Sequence, residues 1–331
     1  MPTYLITGGT GFVGSHAAEA AVVRGKVLAL ARSGSDTTFL ESIGAQIVAG
    51  DLTDPAALRR AAEGIDCVIH CAAKVGDWGA VEDFRTVNVG GLRNLFDALR
   101  GTALKRFVYV SSLGVYEARH HYGTDETEPL PAAHIDGYTQ SKVECETLAL
   151  EEYRKYQTPV TIVRPGFIYG PRDRTVLPRL ADRLRKKSVI YIARGRYALN
   201  TTYVGNLVDA IFLAAESPRA VGEVFNVTDG EFVSKRRFFE AIADGLGLPR
   251  PKASIPLWLA RPLARWRENV FRRKNKPYPP LITRASVKFA GLNLDFSIAK
   301  ARTVLGYDPQ IGFDDGMKRA LEWVAKNKPA A

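Results

Sequence analysis

A chain of 331 residues, 46% hydrophobic and 24% charged, carries enough apolar side chains for a large buried core and has the composition of a soluble globular protein. Its formal charge of +11 is concentrated rather than general. Between Leu257 and Pro277 stand Arg261, Arg265, Arg267, Arg272, Arg273, Lys274 and Lys276 against Glu268 alone, so the excess marks one segment and not a polyanion-binding protein as a whole. No window approaches the roughly 18 uninterrupted apolar residues of a membrane span. The first strand begins at Thr3 and leaves no room for a leader, while Cys67, Cys71 and Cys145 show neither metal spacing nor a disulfide framework. The expectations are a cytoplasmic, reducing setting, core thiols and no metal.

In chain order, β-branched strands alternate with helical stretches, the pattern of βαβ units on a parallel sheet. Strands are predicted over 3–7, 26–31, 46–49, 67–71, 106–111 and 159–164. Helices are predicted over 12–23, 55–62, 81–99 and 138–156. After Arg164 a Pro- and Arg-rich connection leads to a helix over 177–187 and an apolar run over 189–193. The chain then returns with a helix over 206–215 and a strand over 223–227. The fold class is α/β, a doubly wound parallel Rossmann sheet with a smaller, interleaved C-terminal substrate-binding domain. Residues 1–168, with a return at 204–228, form the dinucleotide-binding part; 169–203 and 229–331 form the substrate-binding portion.

Between the first strand and first helix runs Thr7-Gly8-Gly9-Thr10-Gly11-Phe12-Val13-Gly14. Gly8 permits a tight turn, Gly11 lets the backbone approach a pyrophosphate, and Gly14 permits close helix packing. The phosphates would sit at the helix N-terminus, beside Phe12 and Val13. The second strand ends Leu30-Ala31-Arg32-Ser33 with no acid at its tip, and Asp36 comes later. A carboxylate there would bond the 2′-hydroxyl of NAD, whereas an Arg accommodates the 2′-phosphate of NADP. NADP is favoured with NAD possible; the alternative is that Arg32 stacks on adenine or lies in solvent. Asp51 and Leu52 are placed to meet the adenine, or Asp51 caps the helix beginning near Pro55.

Tyr138 and Lys142 open the helix after the fifth strand, one turn apart on one face, and that strand ends in Ser111-Ser112. A bare Tyr-x-x-x-Lys is weak evidence, since about one is expected by chance at ordinary lysine usage; its position gives it weight. A phenol of pKa about 10 is a poor base at neutral pH, so an adjacent ammonium is expected to lower it. At about 4.5 Å and an effective dielectric near 20 the attraction is roughly 4 kcal/mol, or about three pKa units. A serine hydroxyl would hold the substrate oxygen near Tyr138 and the nicotinamide.

With these motifs the sequence resembles the extended short-chain dehydrogenase/reductase family over nearly its whole length. The resemblance implies Ser112 as the catalytic serine with Tyr138 and Lys142, and His70-Cys71-Ala72-Ala73 at the nicotinamide ribose, with Lys74 also at the cofactor. It also implies that Asn88 supports the active site and that Pro165 lies at the cofactor. The pattern Ala72-Ala73-Lys74-Val75-Gly76-Asp77-Trp78-Gly79 is similar to the branch with 3β-hydroxysteroid dehydrogenases, dihydroflavonol-type reductases and 2-alkyl-3-oxoalkanoate reductases. In it Val75 and Trp78 would wall a substrate pocket, unless Trp78 is plain core. Phe167 in Arg164-Pro165-Gly166-Phe167 stands where sugar-nucleotide enzymes of the family carry Asn, and Leu113-Gly114 where dehydratases carry acids. Both departures point to an apolar substrate touching Leu113 and Phe167. The segments Pro280-Leu281-Ile282-Thr283-Arg284, Asp295-Phe296-Ser297 and Leu305-Gly306-Tyr307 again look like the lipid and steroid branch. A homodimer packed through 81–99 and 138–156 is implied as well.

In the basic segment, Leu259, Leu263, Trp266 and Val270 fall at helical spacing and should bury one stripe, with the Arg residues on the remaining surface. A lid over the substrate cleft is the plain reading. A peripheral membrane contact through 257–277 is the alternative. No recognised nucleic-acid motif accompanies the charge. The function expected is reversible reduction of a ketone or β-keto acid to a secondary alcohol on a bulky apolar substrate. A nucleotide-sugar epimerase or dehydratase with retained NAD, and a non-catalytic dinucleotide-binding regulator, are the alternatives.

Overall fold

In a computed structural model that describes residues 1–327, the alternating run folds as one parallel sheet. Its strands are β1 (Thr3–Thr7), β2 (Lys26–Ala31), β3 (Gln46–Ala49), β4 (Cys67–His70), β5 (Arg106–Val110), β6 (Val160–Pro165) and β7 (Val224–Val227). Across the sheet the order is β7-β6-β5-β4-β1-β2-β3, with every neighbouring pair parallel. The β-branched and aromatic runs Cys67–His70 and Arg106–Val110 are buried almost throughout, as strands covered on both faces require. The order steps outward in both directions from β1 and β4, so the crevice at their carboxyl ends is the switch point where doubly wound sheets hold ligands.

The helices that cover this sheet and carry the sites are α1 (Phe12–Val22), α2 (Pro55–Ala62), α3 (Gly91–Leu99), α4 (Gly137–Tyr156), α5 (Val204–Glu216), α6 (Leu257–Arg273), α7 (Arg284–Gly291) and α8 (Phe313–Lys326). On one face α1 and α5 pack Ala17, Ala21, Leu207 and Ile211 onto Ile6 and Val108. On the other, α2, α3 and α4 pack Leu58, Leu95 and Ala149 onto Leu5, Val68 and Tyr109. Residues 204–228 return to the sheet as α5 and β7, while the flanking stretches gather a second core around Tyr169, Leu177, Phe238, Phe313 and Met317. The pairing of His121–Thr124 with Leu294–Phe296 draws the C-terminal segment beside the loop after β5.

Two expectations change. The helix predicted over 81–99 contains a π-helical stretch, Arg85–Gly90, between Val81–Phe84 and α3. Such a bulge admits an extra residue per turn, and Asn88 within it is buried. In α6 the buried stripe is Ala260, Ala264 and Glu268, whereas Leu259 is 43%, Leu263 36% and Trp266 59% exposed. Ala260 and Ala264 pack against Ile192 and Val287, small side chains that let α6 approach α7 closely. The buried Glu268 is held by Arg284, accepting from its backbone N–H at 2.6 Å and its Nε at 2.7 Å. Helical spacing defines a stripe; the partner helix decides which stripe faces inward.

Among the described residues no helix is long and apolar enough to cross a membrane. The three cysteines are free. Burial pushes the thiols of Cys67 and Cys71 up to about 12 and that of Cys145 up to about 11, which keeps them protonated.

Candidate active site

The glycines after β1 are fixed by backbone contact. Gly8 has φ +72°, and a Cβ there would lie 2.7 Å from the Ala72 nitrogen; at Gly14 it would lie 2.1 Å from the Gly8 carbonyl oxygen. At Gly11 a Cβ would meet only the Gly8 oxygen, at 3.1 Å, so that flank of the turn is open. No side chain caps the N-terminus of α1, which leaves the first-turn N–H groups beside Phe12 and Val13 for an anion. This cradle fits a dinucleotide pyrophosphate.

At the tip of β2, Arg32 is exposed. Asp36 is turned away, accepting from the Thr38 N–H and lying 3.7 Å from Arg174. Asp54, not Asp51, caps α2, accepting from the N–H groups of Ala56 and Ala57. Asp51 instead holds its own turn through Thr53 at 2.9 and 2.8 Å, and Leu52 is buried against the position of Gly91.

Beyond β4, the Ala72 N–H donates to Thr7 Oγ1 at 3.3 Å, and Thr7 Oγ1 lies 2.7 Å from His70 Nδ1. Asn88 joins this loop to the helix carrying Tyr138. It accepts from the Lys74 N–H at 2.7 Å and donates to the Lys74 carbonyl and to Ser141 Oγ; Ser141 Oγ donates to the Tyr138 carbonyl. Side-chain attachment of this kind fixes the loop without using the Lys74 ammonium, which pairs with Asp83 at 3.3 Å.

Asp136 caps α4 by accepting from the Thr139 N–H at 2.8 Å, which starts the helix one residue before Tyr138. Lys142, one turn on, donates to the Val110 carbonyl at 2.7 Å and lies over the Tyr109 ring. The two serines at the end of β5 differ. Ser111 Oγ donates to Glu146 Oε1 at 2.5 Å, and Glu146 is itself clasped by the buried Arg164. Ser112 Oγ accepts only the Gly114 N–H, at 3.0 Å, so its own proton has no protein acceptor.

The electrostatics of this pair run against the sequence expectation. Burial, reinforced by the Asp136 charge, pushes the Tyr138 phenol well up, and burial pushes the Lys142 ammonium down. Lys142 is committed to the Val110 carbonyl, and desolvation is the largest effect on the phenol. Tyr138 therefore carries its proton at neutral pH and is set up as a donor.

Ser112, Leu113, Tyr138 and Phe167 line one cavity of about 250 Å³, with Phe289 and Asn200 completing its wall. Val75 and Trp78 are not part of that wall; the loop contributes Gly76 and Asp77. Val75 is 70% exposed. Trp78 donates its Nε1–H to the Lys276 carbonyl at 3.1 Å beneath the Arg272 guanidinium. Asp77 accepts from Thr283 Oγ1 at 2.9 Å, tying the loop to the cap of α7. Pro165 ends β6, next to Gly166 of the wall. Asp136 is not singled out in the sequence, although an Asp just before a helical run is a cap signal. Phe289 and Lys288 carry no local signal, because α7 brings them in from afar in the sequence. Among the described residues no group of three or more His, Cys, Asp or Glu is placed to hold a metal.

Residues 4–228 match the model of the NAD dependent epimerase/dehydratase family. A 4-hydroxy-2-methyl-3-oxo-4-farnesyl-3,4-dihydroquinoline-1-oxide ketoreductase of Stigmatella aurantiaca is 32% identical, over 94% of this chain and 93% of the relative. A 3 beta-hydroxysteroid dehydrogenase/Delta 5-->4-isomerase of Mycobacterium tuberculosis (strain ATCC 25618 / H37Rv) is 31% identical, over 96% and 89%. Among solved structures, gox2253 superposes with a TM-score of 0.83 at 27% identity, covering 99% of this chain and 98% of that one. The UDP-glucuronic acid 4-epimerase of Bacillus cereus in complex with NAD superposes at 0.76 and 21% identity over 98% and 99%, a likeness of fold. With its glycine turn, its parallel sheet and this match, the chain belongs to the NAD-dependent epimerase/dehydratase family, within the extended short-chain dehydrogenase/reductases.

Proposed function

We propose that the protein reduces a ketone or β-keto acid to a secondary alcohol on a bulky, largely apolar molecule. The observation that carries this reading is the single cavity in which Ser112 and Tyr138 stand beside Leu113, Phe167 and Phe289. Bound at the glycine turn, a reduced nicotinamide dinucleotide supplies the hydride. Ser112 donates its unpaired proton to the substrate oxygen and holds the carbonyl against Tyr138. As the carbonyl carbon gains the hydride, its oxygen takes the Tyr138 proton, and solvent restores the phenol. Lys142 would stabilise the phenolate formed in that step and would help to hold the cofactor ribose. Leu113, Phe167 and Phe289 offer no side-chain hydrogen bonds to a sugar, and relatives named as ketoreductase and 2-alkyl-3-oxoalkanoate reductase support the same class. Arg32, exposed at the tip of β2, favours NADPH.

The test is oxidation of NADPH and NADH by purified protein with long-chain β-keto acids, steroid ketones and nucleotide sugars. Ketone-dependent loss of NADPH is expected, with Tyr138→Phe slower by about 10²–10⁴-fold at unchanged cofactor affinity. Tightly held NAD, no net consumption and interconversion of a nucleotide sugar would overturn the reading.

The substrate-binding part comprises 169–203 and the chain beyond 229, with α6 and α7 over the cleft. The outward face of α6 makes a peripheral contact with anionic membrane. Trp258 is 75% exposed, next to Leu259 and one face away from Leu263 and Trp266, among basic side chains. Co-sedimentation with anionic but not zwitterionic vesicles tests it.

A further inference from the structure

A second cavity, of about 220 Å³, lies between α6 and α7. Its floor is apolar, made by Ala118, Ile135, Ala264, Val287 and Leu292, and all of its charged groups are cations: Arg261, Arg265, Arg284 and Lys288. Arg284 gives its backbone N–H and Nε to Glu268, and its two terminal nitrogens have no acceptor. Arg261 and Arg265, one turn apart on α6, have no ion-pair partner among the described residues. Four like charges around one space repel one another; Glu268 offsets Arg284 and the Asp136 carboxylate acts on Lys288, which leaves Arg261 and Arg265 unbalanced.

Lys288 is the innermost of the four and lines both this cavity and the one holding Ser112 and Tyr138. It donates to the carbonyls of Gly114 and Tyr116 at 2.7 and 2.8 Å. Its approach to His134 Nε2, at 3.3 Å, is not a third bond. The Ile135 N–H donates to His134 Nδ1 at 2.9 Å, which places the ring proton on Nε2, 3.0 Å from the Tyr116 carbonyl. One proton of the partly buried Lys288 ammonium is thus left without an acceptor among the described residues, at the wall of a cavity rimmed by guanidinium groups.

We infer that the cavity between α6 and α7 binds the carboxylate or phosphate group of an amphipathic molecule, held by Arg261, Arg265, Arg284 and Lys288 with the alkyl part on the apolar floor. The volume suits a head group with a few methylenes and is below the usual range for a whole drug-sized ligand. Because Lys288 holds Gly114, whose N–H is on Ser112 Oγ at 3.0 Å, the bound charge lies one residue away from the Ser112 hydroxyl.

The inference stands apart from ketone reduction, because it is read by binding without turnover. Calorimetry on the NADPH-loaded protein with decanoate, decyl phosphate and decanol is the experiment. At least one of the two anions should bind tenfold or more tighter than the alcohol. The double variant Arg261→Gln, Arg265→Gln should abolish that advantage while NADPH affinity, which reports an intact fold, is unchanged. Arg265→Lys, which keeps the charge, should retain most of it. Equal affinity for anions and alcohol, or an anion preference that survives the double variant with cofactor binding intact, overturns the inference.

Discussion

The glycine turn at β1 and the α6–α7 pair over the cleft build their sites by opposite means. At the turn, function rests on what backbone can approach backbone: a Cβ at Gly14 would come within 2.1 Å of the Gly8 oxygen, and one at Gly8 within 2.7 Å of Ala72. At α6, function rests on which side chains face inward, and these are Ala260, Ala264 and Glu268 rather than the larger apolar residues. A site made of backbone is written in residues that lack side chains. A site made of facing side chains depends on a neighbour that local spacing does not name.

The largest expected effect bears on what holds the two regions together. Glu146, clasped by Arg164 and by Ser111, anchors the end of β5 to α4 and β6. Glu146→Gln should cost about 3–5 kcal/mol in denaturant unfolding, because it strands a buried guanidinium. The double change Glu146→Met with Arg164→Met should cost less than Glu146→Gln alone. A loss within about 1 kcal/mol for Glu146→Gln would show that the pair is not structural.

Next comes pH. Full burial, with repulsion from Lys142, lowers His70 to about 3, and burial next to Arg172 lowers His16 to about 4. Both imidazoles are neutral in the fold and protonate near 6.5 when unfolded. The unfolded chain therefore binds more protons below pH 6.5, and stability falls as pH drops from there toward 4. At pH 4.5 His70 alone should account for about 2–3 kcal/mol. His70→Asn should flatten the stability profile over this window; an equal slope in variant and parent would remove His70 as the cause.

Gly14→Ala sharpens the backbone side of the comparison. Its Cβ would have to displace the Gly8 carbonyl and the Gly9 nitrogen, so about 1–3 kcal/mol of stability and at least tenfold in dinucleotide affinity should be lost. Full cofactor binding would show that the turn can yield. The smallest pair of effects tests the helix side. Ala260→Leu should cost about 1–3 kcal/mol by overpacking against Ile192 and Val287, whereas Leu263→Ser should change stability by less than about 0.5 kcal/mol. The reverse ranking would mean that the stripe of large apolar residues faces inward after all.

Much of the fold was legible because parallel strands buried on both faces must be apolar for several residues together, and the strands over 3–7, 26–31 and 46–49 have the predicted bounds. The placing of Tyr138 and Lys142 was legible for the same reason, since one helical turn after a strand end is local geometry. The direction of the Tyr138 shift was not. It depends first on how deeply the start of α4 is buried, with the Asp136 carboxylate adding to the effect, and spacing carries no measure of that burial. Nor could adjacency tell that Ser111 is consumed by Glu146 while Ser112 is not.

By itself the sequence determined the parallel sheet, the glycine turn and the placing of Tyr138 and Lys142 one turn apart, because each is fixed by short-range periodicity or by residues that permit a particular backbone, whereas Ser112 rested on the family resemblance. The tertiary structure alone decided which face of α6 is buried and which residues of the 74–79 loop reach the cavity. It also decided that Phe289 and Lys288 complete the walls, because these depend on side chains meeting across long stretches of chain, where packing and desolvation outweigh local preference.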